Sequence, residues 1–292
     1  DSVEYSVMTY RSFPGQDLSN GGGYTNEDWG YPQTLMMYDI AALQQIYGAN
    51  YNTNSGNTTY RWSATTGELS INNVGQGAPG DGNGVTSASE NRVLMTVWDG
   101  GGTDTYDFSL YSGGSTIDLR PGEWSTTSQT QLANLRDSAG GPSFARGNIA
   151  NALMFEGNTA SLIENAVGSG GADSFFANQV ANLLTGGGGA DTFRWASASD
   201  AGTGGLADTI ADLTRGSDLI HLGDIDANSG TGANDAFAFI GTSAFHSVAG
   251  ELRYQVEGGN ARIQADLDGN GLADMEIIVN NNTILAGTDF IL

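Results

Sequence analysis

Two glycine-rich segments, each with an aspartate at the same place, carry the clearest chemical pattern in the sequence. Gly168–Phe176 reads GSGGADSFF, Gly186–Arg194 reads GGGGADTFR, and a degenerate copy, Ala177–Thr185, lies between them. The two full copies follow the nonapeptide G-G-x-G-x-D-x-U-x, which makes a tight turn and then a short strand. Glycines let carbonyl oxygens converge, and the aspartate adds a charged oxygen. The pattern predicts a parallel β-roll with calcium between stacked turns.

The apolar position of the nonapeptide supports this prediction. Phe175, Leu184 and Phe193 recur at the same position of successive nonapeptides, each in the strand portion of its repeat. Two nonapeptides make one coil of a roll, so residues separated by two repeats are expected to stack with these side chains pointing inward. The alternative is a pair of ordinary glycine-rich loops, because a single GGxGxD motif is a weak signal. The unbroken register favours the roll.

A second acidic segment lies outside the repeats. It reads D-x-D-x-N-G-x-x-D, with Asp266, Asp268, Asn270 and Asp274 as its oxygen-bearing residues. This spacing is typical of an EF-hand-type calcium loop, but position 12 is Ile277, so the bidentate glutamate is missing. The alternative is a polar hairpin turn stabilised by Asx-turns. The residues leave both interpretations open.

The charge of the chain limits the possible functions. Its 292 residues include 44 glycines, 33 acidic residues, ten arginines and no lysine or cysteine, with a net charge of −23. Disulfides and cysteine zinc modules are excluded, and His221 and His246 cannot form a three-histidine site by themselves. They are expected to be structural or surface residues. Nucleic-acid binding and membrane insertion are not expected, since the chain is acidic and lacks a long apolar run.

One helix is predicted near the start of the chain, in TLMMYDIAALQQIYGAN. Its N-cap is expected at Thr34 and its C′ residue at Gly48. The apolar spacing predicts one apolar stripe along the helix, formed by Met36, Met37, Ile40, Leu43, Ile46 and Tyr47.

Short strands are predicted after residue 50. The candidates are Val93–Trp98, Thr105–Leu110, Ser115–Leu119 and Ala152–Phe155. Near the end, GELRYQV, ARIQADL and MEIIV are expected to form an antiparallel sheet. A boundary between a helix-containing part and a β part is predicted near Gly48–Asn54.

Several motifs, which follow one another along the chain in the order of the family, resemble those of the serralysin family of secreted bacterial zinc metalloproteases. Ser6–Tyr10, SVMTY, resembles the Met-turn, and Asp39–Asn50 is similar to the helix that closes the protease domain. Val97–Phe108 resembles the entry to the β-roll, and Ile163–Gly168 resembles the lead into the repeats. The terminal Asp289–Leu292, one acid and three apolar residues, resembles the signal read by type I exporters.

The resemblance implies a mainly β fold: a calcium-binding parallel β-roll flanked by β-sandwich-like strands, preceded by the helical end of a metalloprotease domain. Residues 1–50 are expected to be that end, and residues 51–292 the C-terminal domain, with repeats at about 168–194. Met8 would floor the zinc site and Tyr10 would be its auxiliary, movable ligand. The family's H-E-x-x-H-x-x-G-x-x-H segment is absent from this sequence. We therefore expect no complete catalytic site.

The resemblance also implies calcium ligands in four groups. One site would use Asn54, Gly56, Thr58, Asp99, Gly101 and Asp104, and a second would share Asp104 with Gly102, Leu162 and Glu164. In the roll, Ser169, Gly171 and Asp173 would face Gly186, Gly187, Gly189 and Asp191. On the opposite edge, Asn178, Val180 and Asn182 would pair with Asp200 and Asp208. Carbonyl and carboxylate oxygens of this kind suit Ca²⁺.

Three functions compete. The first is the C-terminal part of a secreted, calcium-dependent zinc endopeptidase, whose partners are the upstream protease segment, a type I ABC exporter and protein substrates. The second is a stand-alone calcium-binding module for secretion and folding. The third, a roll appended to a lipase or a polysaccharide epimerase, is disfavoured because SVMTY and the following helix resemble the protease. The N-terminal decapeptide does not resemble a secretory signal, which agrees with C-terminal export.

Overall fold

The computed structural model describes residues 2–19, 23–80, 90–136 and 141–292. The chain divides into two compact units: Asp1–Tyr111 with Ser115–Ile163, and Ser112–Gly114 with Glu164–Leu292. Residues 20–22 of the glycine-rich segment before the helix lie outside the described residues. The described chain is mostly β, with one α-helix, and contains a parallel β-roll. The predicted fold class is confirmed. No described helix has the length and apolarity that crossing a membrane requires.

The helix of the first unit, α1, spans Met37–Tyr47 and ends at Gly48, whose φ is 81°. Its N-cap residue is Met36, so the prediction of Thr34 is wrong. The Asp39 carboxylate explains the later start, because it accepts the Met36 N–H at 3.0 Å and so satisfies a free donor of the first turn.

The apolar stripe of α1 is buried only at its N-terminal end. Met36 and Met37 lie in a core cluster with Leu94. In contrast, Ile46 is 69% exposed and Tyr47 is 81% exposed, and Leu43 is also exposed. Periodicity identifies the apolar face of a helix, but not what covers it.

The described part of the first unit contains eight short strands. They are β1 Thr59–Trp62, β2 Leu69–Ile71, β3 Val74–Gly75, β4 Met95–Val97, β5 Thr105–Asp107, β6 Thr116–Asp118, β7 Trp124–Ser125 and β8 Ile149–Asn151. Strand β1 pairs in parallel with β5 and antiparallel with β2, and β2 pairs with β3. Strand β8 pairs in parallel with β4 and antiparallel with β7. Short 3₁₀-helices span Gln129–Gln131 and Thr159–Ser161.

Three of the predicted strands coincide with β4, β5 and β6, each shorter than expected. The prediction of Ala152–Phe155 is wrong, because the strand is β8, just before it. Pairing decides the position: Ile149 lies opposite Met95, and both Ile149 and Ala150 are fully buried. The apolar run at 152–155 is only partly buried and has no ladder partner among the described strands.

The second unit contains eleven strands and three 3₁₀-helices. The strands are β9 Asn165–Val167, β10 Ser174–Phe176, β11 Leu183–Thr185, β12 Thr192–Arg194, β13 Asp208–Ile210, β14 Leu219–His221, β15 Ala238–Phe239, β16 Glu251–Glu257, β17 Asn260–Asp266, β18 Met275–Val279 and β19 Phe290–Ile291. The 3₁₀-helices span Ala198–Asp200, Gly204–Leu206 and Gly287–Asp289.

Strands separated by two nonapeptides pair in parallel, as the repeat predicts. Ala166 of β9 lies opposite Leu184 of β11, and Phe175 of β10 lies opposite Phe193 of β12. The Phe175 and Phe193 rings stack with centroids 5.0 Å apart. These two rings and Leu184 are fully buried, so the predicted inward position is confirmed. Ordinary glycine-rich loops would not give this register.

The roll continues beyond the repeats with a longer spacing between paired strands. Strand β13 pairs with β11, placing Ile210 opposite Leu184, and β14 pairs with β12, placing Ile220 opposite Phe193. Residues 195–207 form the extra length. Strand β18 then pairs in parallel with β13, and β19 with β14, so the last residues of the chain join the sheet that contains β10 and β12. The predicted antiparallel sheet of β16, β17 and β18 is confirmed.

Candidate functional site

The first turn of the roll is closed by its own aspartate. Asp173 accepts the Ser169 N–H at 2.6 Å and the Ser169 hydroxyl at 2.9 Å, and Asp173 is buried. The second turn stacks on it through the Gly188 N–H, which donates to the Ser169 carbonyl at 3.2 Å. A Cβ atom at Gly187 would lie 2.6 Å from that same carbonyl oxygen, and one at Gly189 would clash with the Gly171 backbone. Only glycines let carbonyl oxygens of stacked turns approach this closely.

Aspartates of successive turns are joined through the backbone. The Asp173 N–H donates to Asp191 Oδ1 at 2.8 Å, and the Asp191 N–H donates to Asp218 Oδ1 at 3.0 Å. Burial raises the pKa of Asp191 to about 7; the hydrogen bond from Asp173 opposes this, and the charges of Asp218, Asp173 and Asp212 add to it. A buried carboxylate among like charges needs a proton or a cation. The oxygens that this turn stack assembles fit a calcium ion.

Gly186 also belongs to this turn, and it faces two carboxylates. Its N–H donates to Asp212 Oδ1 at 2.7 Å, and a Cβ atom on it would lie 2.5 Å from Asp191 Oδ2. Sequence reasoning missed Asp212 and Asp218, because the extra residues after β12 break the period of the repeat. The signal that could have found Asp218 is Asp-Leu-Ile, in which an apolar residue again follows the aspartate at the second position.

The degenerate middle repeat forms the opposite edge with asparagines. The Asn182 side chain and Asn178 bond each other, with the Asn178 N–H donating to Asn182 Oδ1 at 2.8 Å, and the Val180 N–H donates to Asn178 Oδ1 at 3.2 Å. The Asn182 N–H donates to Asp208 Oδ1 at 2.6 Å. The structure thus brings together four of the five residues predicted for this edge, and the fifth, Asp200, acts on Asp208 through its charge.

Asp208 is the buried acid of this edge. Burial raises the pKa of Asp208 to about 8, hydrogen bonds from the Trp195 indole and the Asn182 N–H lower it, and the charge of Asp200 raises it. The indole Nε1 donates to Asp208 Oδ2 at 2.5 Å. The edge therefore holds one strongly buried carboxylate with amide oxygens around it, which are hard donors suited to calcium.

In the first unit, Thr58 connects the predicted ligands. Its hydroxyl donates to the Asn54 carbonyl at 3.1 Å and to the Gly56 carbonyl at 2.8 Å. Its N–H donates to Asp104 Oδ1 at 2.8 Å. A Cβ atom at Gly102 would lie 2.6 Å from the Gly56 carbonyl oxygen and 2.9 Å from Asp104 Oδ1. Two carbonyls, a hydroxyl and a carboxylate converge here.

Asp99 completes this group of residues. It is fully buried, as is Asp104. The Tyr60 hydroxyl donates to Asp99 Oδ2 at 2.6 Å, and the Gly101 N–H donates to Asp99 Oδ1 at 2.8 Å. Burial raises the pKa of Asp99, and hydrogen bonds from Tyr60, Gly101, Asp104 and Thr58 lower it. Two buried acids within hydrogen-bonding reach of each other fit a cation between them.

The remaining residues predicted for the site that shares Asp104 are Leu162 and Glu164, and they belong to different units. Leu162, which follows the 3₁₀-helix Thr159–Ser161, belongs to the first unit and is buried. Glu164 belongs to the second unit, where its carbonyl accepts the Leu183 N–H at 3.2 Å. The joint site of these residues with Asp104 stays a prediction.

The acidic loop after β17 is a hairpin turn that also gathers carboxylates. Asp266, Asp268 and Asp274 each offer an oxygen within 4.8 Å of the others. Asp266 accepts N–H groups of Gly269 and Gly271, both at 2.8 Å, and Asn270 bonds Asp268 through its backbone. The segment therefore forms the predicted polar hairpin turn, and its three carboxylates lie close together. Its cation binding stays a prediction.

The segment Ser6–Tyr10, which is predicted to be the Met-turn, is hydrogen-bonded to Asp39 in the first turn of α1. Asp39 accepts the Ser6 hydroxyl at 2.7 Å and the Val7 N–H at 2.8 Å. Met8 is 80% exposed and Tyr10 is 77% exposed. Both histidines belong to the second unit, where His221 bonds Arg194 and His246 bonds Glu251.

The stacked parallel strands with glycine–aspartate turns define this chain as a parallel β-roll protein. Residues 49–292 match the family described as Peptidase M10 serralysin C terminal. The chain belongs to this family, and the recognised resemblance is confirmed.

Two relatives that match most of this chain are named as a metallopeptidase and a metalloprotease. The chain is 33% identical over 294 residues to metallopeptidase AprA of Pseudomonas marginalis and 34% identical over 296 residues to metalloprotease AprA of Pseudomonas entomophila; each match covers 94% of this chain and 52% of the relative. Serralysin B of Dickeya chrysanthemi is 34% identical over 174 residues, which is 59% of this chain and 27% of that protein. The chain thus spans about half the length of the AprA relatives.

Among solved structures, the R3 subunit of the AlgE6 mannuronan C5-epimerase from Azotobacter vinelandii is similar, with a TM-score of 0.33 and 18% identity. The match covers 65% of this chain and 80% of that one.

Proposed function

We propose that this chain is the C-terminal part of a secreted, calcium-dependent zinc metalloendopeptidase and is not catalytic by itself. The observation that carries the proposal is the stacking of the Asp173 and Asp191 turns, two nonapeptides apart, in a chain of the serralysin C-terminal family. The role of this chain is to bind calcium, to supply the Met-turn and to carry the export tail. Degradation of extracellular proteins belongs to the complete enzyme.

Calcium binds at the roll turns, at the opposite edge of the roll and at the Asp99–Asp104 group. The buried carboxylates and glycine-shaped carbonyl turns at these places support the proposal. Extracellular calcium modules bind with dissociation constants of roughly 10⁻⁴–10⁻³ M. Calcium at millimolar concentration outside the cell therefore fills the sites, whereas the cytosol leaves them open.

In the complete enzyme, a bound zinc ion would supply Lewis-acid chemistry at the scissile carbonyl. Two residues of this chain would belong to that zinc site: Tyr10, as an auxiliary ligand through its hydroxyl, and Met8. Their exposed side chains and the anchoring of this turn by Asp39 support that role. The histidine ligands and the glutamate base of the family motif are not in this sequence.

The upstream protease segment packs against the open face of α1. Leu35, Leu43, Tyr47 and Trp98 line a cavity of about 470 Å³ in the first unit. Ile46, three residues after Leu43 on the same helix, is also exposed. Contiguous exposed apolar residues mark interaction surfaces. We assign residues 1–50 to the protease domain and 51–292 to the C-terminal domain; the start of the family match at residue 49 supports this division.

Export proceeds through a type I ABC exporter that reads Asp289–Leu292 in the unfolded chain. In the folded chain this tail is part of the roll: Asp289 is buried and pairs with Arg215 at 2.9 Å, and Phe290 lies opposite Ile220. The exporter must therefore read the tail before the roll closes. The low calcium concentration of the cytosol keeps the roll open until export.

Two measurements test this function. The purified chain should gain β structure in circular dichroism when millimolar calcium replaces excess EGTA, and it should not cleave casein with Zn²⁺ and Ca²⁺ present. Chelator-sensitive cleavage by the pure chain would show that it is catalytic. A spectrum unchanged by calcium would contradict the calcium role.

A third measurement separates the two leading alternatives. The intact mass and N-terminal sequence of the natural product distinguish part of a protease from a stand-alone calcium-binding module. A natural product that begins at Asp1 would favour the stand-alone module.

A further inference from the structure

The two full turns of the roll differ in the carboxylate that receives their backbone N–H groups. In the first turn the Ser169 N–H donates to Asp173, an acid of the same turn. The equivalent group of the second turn is the Gly187 N–H, which donates to Asp212 Oδ2 at 3.0 Å. The Gly186 N–H donates to the other oxygen of Asp212 at 2.7 Å. The backbone N–H groups of the second turn therefore donate to a carboxylate that lies outside its own nonapeptide.

The strand register explains why Asp212 reaches this turn. Strand β13 runs beside β11 with Ile210 opposite Leu184, and the Ala211 N–H donates to the Leu184 carbonyl at 2.8 Å. Two positions further along each strand, Asp212 comes beside Gly186. The separation of Asp212 from Gly186 along the chain is not a multiple of the nonapeptide, so the repeat gives no hint of this contact.

The exchange of acceptors changes what Asp191 can do. Because Asp212 accepts the Gly187 N–H, that donor is not directed at Asp191, whereas Asp173 is directed back into its own turn. Asp191 Oδ1 accepts the Asp173 N–H at 2.8 Å, just as Asp218 Oδ1 accepts the Asp191 N–H at 3.0 Å, so this bond is common to the stack. Asp191 differs from Asp173 and Asp218 in the bond to its own turn: Asp173 accepts the Ser169 N–H and Asp218 accepts the Thr214 N–H, whereas the equivalent Gly187 N–H donates to Asp212.

We propose that Asp212 is a positioning residue for the cation of the second turn. It is not a ligand; its two oxygens fix the Gly186 and Gly187 amides, and this fixes the direction of the turn carbonyls and of Asp191. The inference rests on the proposed calcium-binding function of the roll. Charge-assisted hydrogen bonds of this bidentate kind give geometric control as well as energy.

Two substitutions separate positioning from charge. Asp212→Asn removes the charge and replaces one acceptor oxygen by an NH₂ donor, so one of the two amides loses its acceptor. Asp212→Glu keeps the charge but moves the carboxylate by one methylene group. The matched control is Asp226→Asn, since Asp226 also accepts two backbone N–H groups, those of Asn228 and Asp235, both at 3.1 Å.

The full chain is titrated with Ca²⁺ by calorimetry at low and high salt, and amide exchange of Gly186 and Gly187 is followed in the calcium-loaded protein. We expect both Asp212 variants to weaken one calcium site by about tenfold at either salt concentration, and both amides to exchange faster, with Asp226→Asn unchanged.

Normal calcium binding by Asp212→Glu, or recovery of Asp212→Asn at high salt, would overturn the inference, because either result assigns only a charge effect to Asp212. Faster amide exchange with unchanged calcium affinity would overturn it as well, by making Asp212 purely structural. A parent chain that binds no calcium would contradict the proposed function itself, which is a separate outcome.

Discussion

Two consecutive phenylalanines in β10 offer a direct test of the roll interior. Phe175 is fully buried and stacks on Phe193, with centroids 5.0 Å apart and planes within 14°. Phe176 faces the other side of the same strand, where the Arg194 guanidinium lies 5.1 Å from its ring centroid. Replacing either residue with alanine removes the same atoms from adjacent positions. Comparing the two alanine variants therefore shows how much burial of the ring contributes to the free energy of unfolding.

The expected magnitudes differ several-fold. Truncating a fully buried phenylalanine costs about 3–5 kcal/mol of unfolding free energy, and the lost ring stacking is worth about 0.5–1.5 kcal/mol of this. Phe176→Ala loses partial burial and an arginine–ring contact worth about 0.5–1 kcal/mol at an exposed site. We therefore expect Phe175→Ala to cost about 4 kcal/mol and Phe176→Ala about 1 kcal/mol.

Urea unfolding at saturating calcium measures both changes. The slope of free energy against urea must be the same in the two variants, so that the midpoints report stability alone. If Phe176→Ala destabilised the chain as much as Phe175→Ala, the inward assignment of the apolar repeat position would be refuted.

Three further predictions concern the acids of the roll and the tail. Calorimetry should show a larger loss of calcium binding for Asp191→Ala than for Asp274→Ala, because Asp191 belongs to a stacked turn and the other loop lacks its position-12 acid; the reverse ranking would contradict this. In calcium-free buffer the β signal in circular dichroism should rise as pH falls from about 8 to about 5, because folding raises the pKa of Asp191 to about 7 and of Asp208 to about 8, so their cost to folding is fully present above these values and is relieved by protonation. A β signal that falls over this range would rule out carboxylate repulsion. Deleting Asp289–Leu292 should retain the chain in the cytosol of a host with the cognate exporter, and undiminished export would exclude the tail as signal.

The roll was predictable because one short period encodes both of its layers. Each nonapeptide places a glycine–aspartate turn and an inward apolar residue at fixed distances, so Phe175 had to meet Phe193 once the register was recognised. The buried Asp99 and the Thr58 contacts were reached through the family resemblance, since their positions in sequence are far apart.

The errors have equally physical causes. The apolar run at 152–155 suggested a strand, but Ile149–Asn151 has the ladder partner, and pairing outweighs local propensity. Asp212 and Asp218 were missed because the extra length between β12 and β13 lengthens the spacing of paired strands beyond two nonapeptides. The exposed C-terminal half of α1 could not be predicted, because the apolar period of a helix does not reveal which element packs against it.

If the roll binds calcium as proposed, the position of Asp191 explains why binding and folding of the roll are one process. Its neighbours on either side, Asp173 and Asp218, are brought close by the backbone bonds that stack the turns, so assembling the roll also assembles the repulsion. A proton or a cation must neutralise this negative charge. A calcium ion does so near neutral pH and leaves the carboxylate ionised, so that its oxygens still accept hydrogen bonds. Because the unfolded chain cannot offer these oxygens together, the free energy of calcium binding becomes free energy of folding. On this proposal, the closed roll, with β19 paired to β14, forms only where calcium is abundant.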